Sequence, residues 1–343
     1  MTTLRTGRLL GAVSVAVLAL GTAACGSGDS ASGGSGDSGG KLAVTTSTNV
    51  WGSVVSAIGG DQVEVRSIID DPSGDPHSYQ ATPEDAVDVQ DAKFVLYNGG
   101  GYDDFFTKLA EQAPEARKVV AFDVSGKGAE GSGAEAGHDH EHAEGEAGHD
   151  HEHAEGSGGE AGHDHEHGVN EHVWYDLPTV SKVADQVAAE LGQLRPEAKQ
   201  TFDGNATAFK GRIDELTGKA AKIGGDRPGA KVLATEPVAH YLLEAAKLTD
   251  ATPEDFSKAI EEESDVPVAA QDAVNQLVTG KQVRAVVHNS QTSTPVTDQL
   301  VANARSAGLP VVDVTETLPE GQSDYIAWMT QEVDALTGAL SGT

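Results

Sequence analysis

Apolar and polar positions over residues 41–125 switch between two periods. KLAVTTST is a β-branched run that predicts a buried strand, and NVWGSVVSAIGG places Trp51, Val54, Val55 and Ile58 on one helical face before closing on glycines. QVEVRSII alternates as a half-buried strand does. A Pro/Gly/Asp loop, DDPSGDPHSYQ, leads to a helix start with Thr82 as N-cap, Pro83 at the first helical position and acids in the first turn. KFVLYNGG predicts a strand, YDDFFTKLAEQA a helix and RKVVAFDV a further strand. This alternation predicts a parallel sheet covered by helices.

Beyond residue 170, NEHVWYDLPTVSKVADQVAAELGQLRP predicts a loop and a helix that complete this lobe over 171–195. Phe202, Phe209, Ile213, Leu216, Ala220 and Ile223 then form one apolar stripe. A single helix over 196–225 would run roughly 40 Å at 1.5 Å per residue, long enough to be a rigid spine between two lobes. Residues 226–343 repeat the first pattern: KVLATE, a helix from Val238, a second TPED at Thr252, a helix near Val268, the strand VRAVVHNS, a helix from Pro295, the strand PVVDVTET and a closing helix. The expected fold is α/β, with two Rossmann-like lobes of parallel sheet joined by one long helix and a ligand cleft between them.

The ends of the chain carry different information. In residues 1–24, Arg5 and Arg8 precede an apolar run from Leu9 to Leu20 and then small residues. The run is shorter than the roughly 20 residues a membrane span needs, and the layout is that of a secretory signal. The only cysteine, Cys25, follows those small residues in a context that resembles a bacterial lipobox, so Cys25 is expected to carry the lipid. Residues 25–40 are Gly, Ser, Asp and Ala after that cysteine and predict a flexible tether. A lone cysteine excludes a disulfide within the chain, and its lipidation would exclude thiol catalysis. The formal net charge of −31 argues against nucleic acid as a partner and suits a protein outside the cell membrane.

Nine of the thirteen histidines fall between residues 138 and 167. Three copies of EAGHDHEH place His138, His140, His142, His149, His151, His153, His163, His165 and His167 at alternate positions with carboxylates between them. Set in Gly, Ala and Ser that can bury no core, this composition predicts a disordered metal-collecting loop over 126–170. Imidazole suits zinc and its neighbours, and the absence of Cys and Met from the tract argues against copper(I).

Outside the tract, ligand candidates concentrate at the carboxyl ends of strands, where open parallel sheets bind ligands. His77 lies in the loop after QVEVRSII, Glu236 ends KVLATE, His288 ends VRAVVHNS, and His172 follows the excursion that leaves RKVVAFDV. His240 sits inside VAHYLLEAAKL, where an ordinary structural role is expected.

GDPHSYQATPED and NEHVWYDLP resemble the two histidine motifs of the metal-binding lipoproteins that serve zinc and manganese ABC transporters. A His/Asp/Glu-rich insertion before the second motif is a mark of the zinc-type members. The resemblance runs from Lys41 to the C-terminus and implies the two-lobe fold, a monomer, a metal site in the cleft with His77 and His172 as ligands, and Glu236 at the third position. It also implies an Asp just before a Ser-Tyr pair in the last helix. Here SDYIAWM puts Ser323 at that place and Asp324 one step along, a turn of about 100 degrees on a helix. His288 is therefore the preferred fourth ligand and Asp324 the alternative.

The function this implies is capture of Zn2+ outside the cytoplasmic membrane, on a lipid-anchored protein, and its delivery to an ABC-transporter permease. A Mn2+-binding counterpart is the alternative that Glu236 leaves open, and a surface zinc buffer or adhesin is another. No HExxH occurs, and an enzyme is not expected.

Overall fold

The computed structural model describes residues 40–128 and 169–342. Cys25 and all nine tract histidines lie outside the described residues, as does the signal-like segment.

In the N-terminal lobe, β1 (Leu42–Thr48) sits between β2 (Val63–Ile69) and β3 (Phe94–Tyr97), with β4 (Arg117–Val120) outside β3. All three pairings are parallel. The crossovers carry α1 (Asn49–Gly59), α2 (Pro83–Asp91) and α3 (Asp104–Glu111). Thr82 caps α2 as its sequence suggests: Asp85 N donates to Thr82 Oγ1, and Thr82 N donates to Asp85 Oδ2 at 2.7 Å, a reciprocal box with Pro83 behind it. RKVVAFDV departs from the expected strand. Its partner β3 ends at Tyr97, opposite Val120, so the ladder has nothing further to pair with, and Ala121–Ser125 wind into a short helix, α4.

Two long helices follow residue 170. A single 3-10 turn at Val173–Tyr175 leads into α5 (Leu177–Leu194), and α6 (Lys199–Asp226) is the spine. The spine is one helix of 28 residues, roughly 42 Å at 1.5 Å per residue. It buries Phe202, Phe209, Ile213, Leu216, Ala220 and Ile223, the stripe that its periodicity predicts.

The C-terminal lobe repeats the topology, with β5 (Lys231–Ala234), β6 (Thr249–Asp250), β7 (Val286–Asn289) and β8 (Val311–Val314) in the order β6-β5-β7-β8, again all parallel. Its helices are α7 (His240–Ala245), α8 (Glu254–Glu261), α9 (Val268–Thr279), α10 (Pro295–Ser306) and α11 (Tyr325–Ser341). The edge strand β6 is two exposed residues and carries no hydrophobic alternation, so no pattern announces it.

One continuous apolar core runs through both lobes, from Leu42 and Trp51 through Trp174, Phe209 and Tyr325 to Val312 and Leu340. Polar groups tie the same wall. Tyr325 OH donates to Trp174 O at 2.6 Å, Tyr175 OH to Thr315 O at 2.7 Å, and Asn49 both donates to Leu318 O and accepts from Leu318 N at 2.9 Å. Trp328 stacks against Tyr175 with ring centroids 5.5 Å apart, a contact worth about 1 kcal/mol beyond its burial. The lobes thus meet through a packed interior, which limits how far they can open. Among the described residues no helix is long and apolar enough to cross a membrane.

Candidate metal centre

In both sheets the strand order reverses direction beside the first strand, between β1 and β3 and between β5 and β7. The crevice beyond the carboxyl ends at such a point is where open α/β sheets take ligands. Loops from both lobes bring side chains there.

The N-terminal lobe supplies imidazoles. His77 is held in its loop by Asp75, whose Oδ1 accepts from His77 N at 2.9 Å and whose Oδ2 accepts from Ser78 Oγ at 2.7 Å. The exposed ring of His77 meets Tyr102 edge-on, centroids 4.9 Å apart, and lies 6.3 Å from the ring of His172. Tyr102 follows three glycines, Gly99, Gly100 and Gly101, all at positive φ. A Cβ on Gly100 would stand 2.7 Å from the Phe122 ring, so only glycine lets this loop pass so close. The buried Asp103 carboxylate fixes the loop by accepting from Asn98 N and Gly99 N, each at 2.7 Å.

His172 is buried, and Asn170 aims it. Asn170 Oδ1 accepts from His172 N at 2.9 Å and lies 3.1 Å from Nδ1, so the ring proton sits on Nδ1 and the Nε2 lone pair is left free for a ligand. Burial, reinforced by the nearby His77 and His240 and opposed by Glu171, lowers the His172 pKa to about 4, so the ring is neutral at pH 7. Asn170 also reaches the other lobe, where its Nδ2 donates to Pro237 O at 2.8 Å, one residue past Glu236.

The C-terminal lobe supplies carboxylates. Glu236, just beyond β5, accepts from Asn289 Nδ2 at 2.8 Å and from Thr292 Oγ1 at 2.5 Å. Glu316, just beyond β8 and 4 % exposed, accepts from the same Asn289 Nδ2 at 2.8 Å through Oε1. Its Oε2 is buried without a hydrogen-bond partner, and the Tyr102 hydroxyl lies beside it at a geometry short of a full hydrogen bond. Burial, then the neighbouring Glu236 and Asp75, pushes the Glu316 pKa up to about 8. Burial also raises that of Glu236, against its bonds to Thr292 and Asn289. Two desolvated carboxyls are thus crowded onto one donor, one of them with an oxygen that has no hydrogen-bond partner.

The structure places the two expected alternatives for the fourth ligand elsewhere. His288 lies on β7 next to Asn289, and successive strand residues face opposite sides of a sheet. Asn289 faces the crevice, so His288 faces away, with Nδ1 3.1 Å from Asp313 Oδ1 on β8 and Nε2 3.4 Å from Ser293 Oγ. Asp324 is the N-cap of α11: its Oδ1 accepts from Ala327 N at 3.0 Å, and its Oδ2 lies 3.5 Å from Arg212 on the spine. Its side chain is half-exposed. His240 pairs with Glu244 one turn along α7 at 3.5 Å.

The model of the family of zinc-uptake complex component A, periplasmic (ZnuA), matches residues 44–339. The chain belongs to the ZnuA family. It is 28% identical over 208 residues to the metal ABC transporter substrate-binding lipoprotein FimA of Streptococcus parasanguinis, covering 59% of this chain and 56% of that one. With the iron ABC transporter substrate-binding lipoprotein MtsA of Streptococcus pyogenes serotype M1 it shares 26% identity over 185 residues, 52% of this chain and 50% of the other. The chain thus spans about half the length of the curated relatives it matches. Among solved structures, the periplasmic zinc-binding protein TroA of Treponema pallidum superposes with a TM-score of 0.65 at 18% identity, covering 88% of this chain and 99% of that one. The ZnuA family is one of substrate-binding proteins and not of enzymes.

Within this ZnuA-family chain, sequence reasoning missed Glu316, Asn289, Thr292 and Glu171. A signal for Glu316 was present. β5 and β8 are both followed by Thr-Glu, Thr235-Glu236 and Thr315-Glu316, so the same pair ends two parallel strands.

Proposed function

We propose that this chain captures a divalent transition metal between its lobes and delivers it to the permease of an ABC transporter, with Zn2+ as the cargo. The ligand set we assign is His77, His172, Glu236 and Glu316. The observation that carries it is a pair of imidazoles in the loops of one sheet, ring centroids 6.3 Å apart, and a pair of buried carboxyls sharing one donor beyond the strands of the other, with Glu316 Oε2 left unpartnered. Two nitrogens and two carboxylate oxygens suit a first-row divalent ion; magnesium and calcium prefer oxygen alone. Such a site closes around zinc without an open position for water chemistry.

Zinc as the cargo is supported by the family description and by the nine histidines of residues 138–167. The tract would collect zinc and raise its concentration beside the cleft. Cys25 as a lipid anchor, with the folded body outside the cytoplasmic membrane, agrees with relatives named as lipoproteins. A second reading, manganese or iron as cargo, draws on the two carboxylates and on a relative named for iron.

The test is metal titration of the chain with and without residues 138–167, using Zn2+, Mn2+ and Fe2+. One tight Zn2+ equivalent should survive removal of the tract and vanish in the His77→Ala/His172→Ala variant. Tight binding that disappears with the tract would overturn the cleft site, and tighter binding of Mn2+ or Fe2+ would reassign the cargo. A protein that binds zinc in this way but whose deletion leaves zinc-limited growth unchanged would be a surface buffer or adhesin.

A further inference from the structure

We propose that Glu171 is a loading ligand for the incoming cation. With His77 and His172 it forms an outer site that holds the ion before Glu236 and Glu316 take it inward. The inference rests on the function proposed above and adds a loading step to it.

His77, Glu171 and His172 each offer one ligand atom within 4.8 Å of the others, the only such group among the described residues. All three belong to loops of the N-terminal lobe. Their exposure is graded along a path inward: His77 is exposed, Glu171 half-buried and His172 buried. The Glu171 backbone is anchored, since its carbonyl accepts from Asn98 Nδ2 at 2.9 Å and from Val173 N at 2.6 Å. Its carboxylate, three bonds out from Cα, has an oxygen within 4.8 Å of a ring nitrogen of each imidazole.

Glu236 and Glu316 do not join this group. They are engaged with Asn289 and Thr292 on the far wall. An arriving ion therefore meets three preassembled donors without breaking any of those bonds. Transfer inward keeps both imidazoles and exchanges one carboxylate, Glu171, for two, Glu236 and Glu316. The ion never has fewer than three protein donors during that exchange, and Glu171 returns to solvent as a free carboxylate. Release runs through the same residue in reverse.

The test uses Co2+ as the probe, followed by its absorption in rapid mixing with the full chain; the tract's contribution is common to all variants and cancels in the comparison. Glu171→Gln should slow association at least tenfold and slow release into a chelator by a similar factor, leaving the equilibrium dissociation constant within about threefold. The deficit should persist in 0.5 M salt, where steering by a lone charge is screened. Glu244→Gln is the control: it removes an exposed carboxylate that acts on the same Tyr241 hydroxyl as Glu171, and should leave high-salt association unchanged within twofold. In the Glu236→Gln/Glu316→Gln chain one weakened Co2+ equivalent should remain, and adding Glu171→Gln should weaken it a further tenfold. Unchanged association in Glu171→Gln, or a deficit that disappears in salt, would overturn the loading role while leaving the proposed function intact. Full cobalt affinity in the His77→Ala/His172→Ala chain would overturn both.

Discussion

Glu236 and Glu316 come from different strands of the C-terminal sheet and share one hydrogen-bond donor, Asn289 Nδ2, at 2.8 Å from each. Two carboxylates held this close in a buried site repel each other when both are charged. The amide holds the pair in place without neutralising it, which leaves that task to a proton or a metal cation. Outer groups that orient metal ligands typically contribute tenfold to a hundredfold in affinity.

Asn289→Ala should therefore weaken Zn2+ binding by roughly 10- to 100-fold while the protein stays folded. Competition against a chelator of known affinity checks this. An affinity within twofold of the parent would show that the two carboxyls hold their positions without the amide.

The fourth ligand separates cleanly by substitution. Glu316→Gln should cost roughly 100-fold or more, beyond the usual range for outer groups, whereas His288→Ala and Asp324→Ala should stay within about threefold. Asp324→Ala should instead lower stability by about 1 kcal/mol through loss of the α11 cap, seen in thermal melting of the metal-free chain. A large loss of affinity in His288→Ala would return that residue to the site.

Glu332, buried on α11, accepts from Trp328 Nε1 at 3.1 Å through Oε1, and its Oε2 has no partner among the described residues. Burial, with Asp313 nearby, raises its pKa to about 8. The folded chain therefore keeps a proton that the unfolded chain releases near pH 4.5. The stabilising effect of that proton is fully present below about pH 4.5 and is lost as pH rises through about 8, at up to about 1.4 kcal/mol per pH unit. Glu332→Gln should flatten this dependence, so its melting temperature should gain on the parent as pH rises from 5 to 8. Parallel melting curves across that range would show that Glu332 does not titrate in the folded protein.

Tyr325→Phe removes the hydroxyl that donates to Trp174 O across the lobe wall. A buried carbonyl left unsatisfied costs about 1–3 kcal/mol, so urea unfolding of this variant should shift by that amount. Metal affinity should change by less than about fivefold, because the site's own bonds are intact. A larger loss of affinity would mean that the wall transmits strain to His172, two residues from Trp174.

Local periodicity carried much of this protein. The stripe from Phe202 to Ile223 specifies the spine, because a 3.6-residue repeat has one folded solution. Thr82, Pro83 and Asp85 specify the start of α2, because a cap is built from neighbours in sequence. Where a pattern needed a partner the reading was incomplete: the second half of RKVVAFDV coils because β3 ends, which nothing in those eight residues records.

The candidate site divides along the same line. His77, His172 and Glu236 stand out in sequence because their residue types and their places after strands are local properties. The proposal of Glu316 over His288 and Asp324 rests on what only three dimensions show, the donor it shares with Glu236. His288 and Asn289 are adjacent on one strand, yet a strand sends neighbours to opposite faces, and which face is the crevice depends on where β5 and β8 flank β7. Sequence determined the two lobes, the helix between them and the histidines that mark a metal. Tertiary structure decided which carboxylates meet at Asn289, because that meeting is set by strand order and side, which no local repeat encodes.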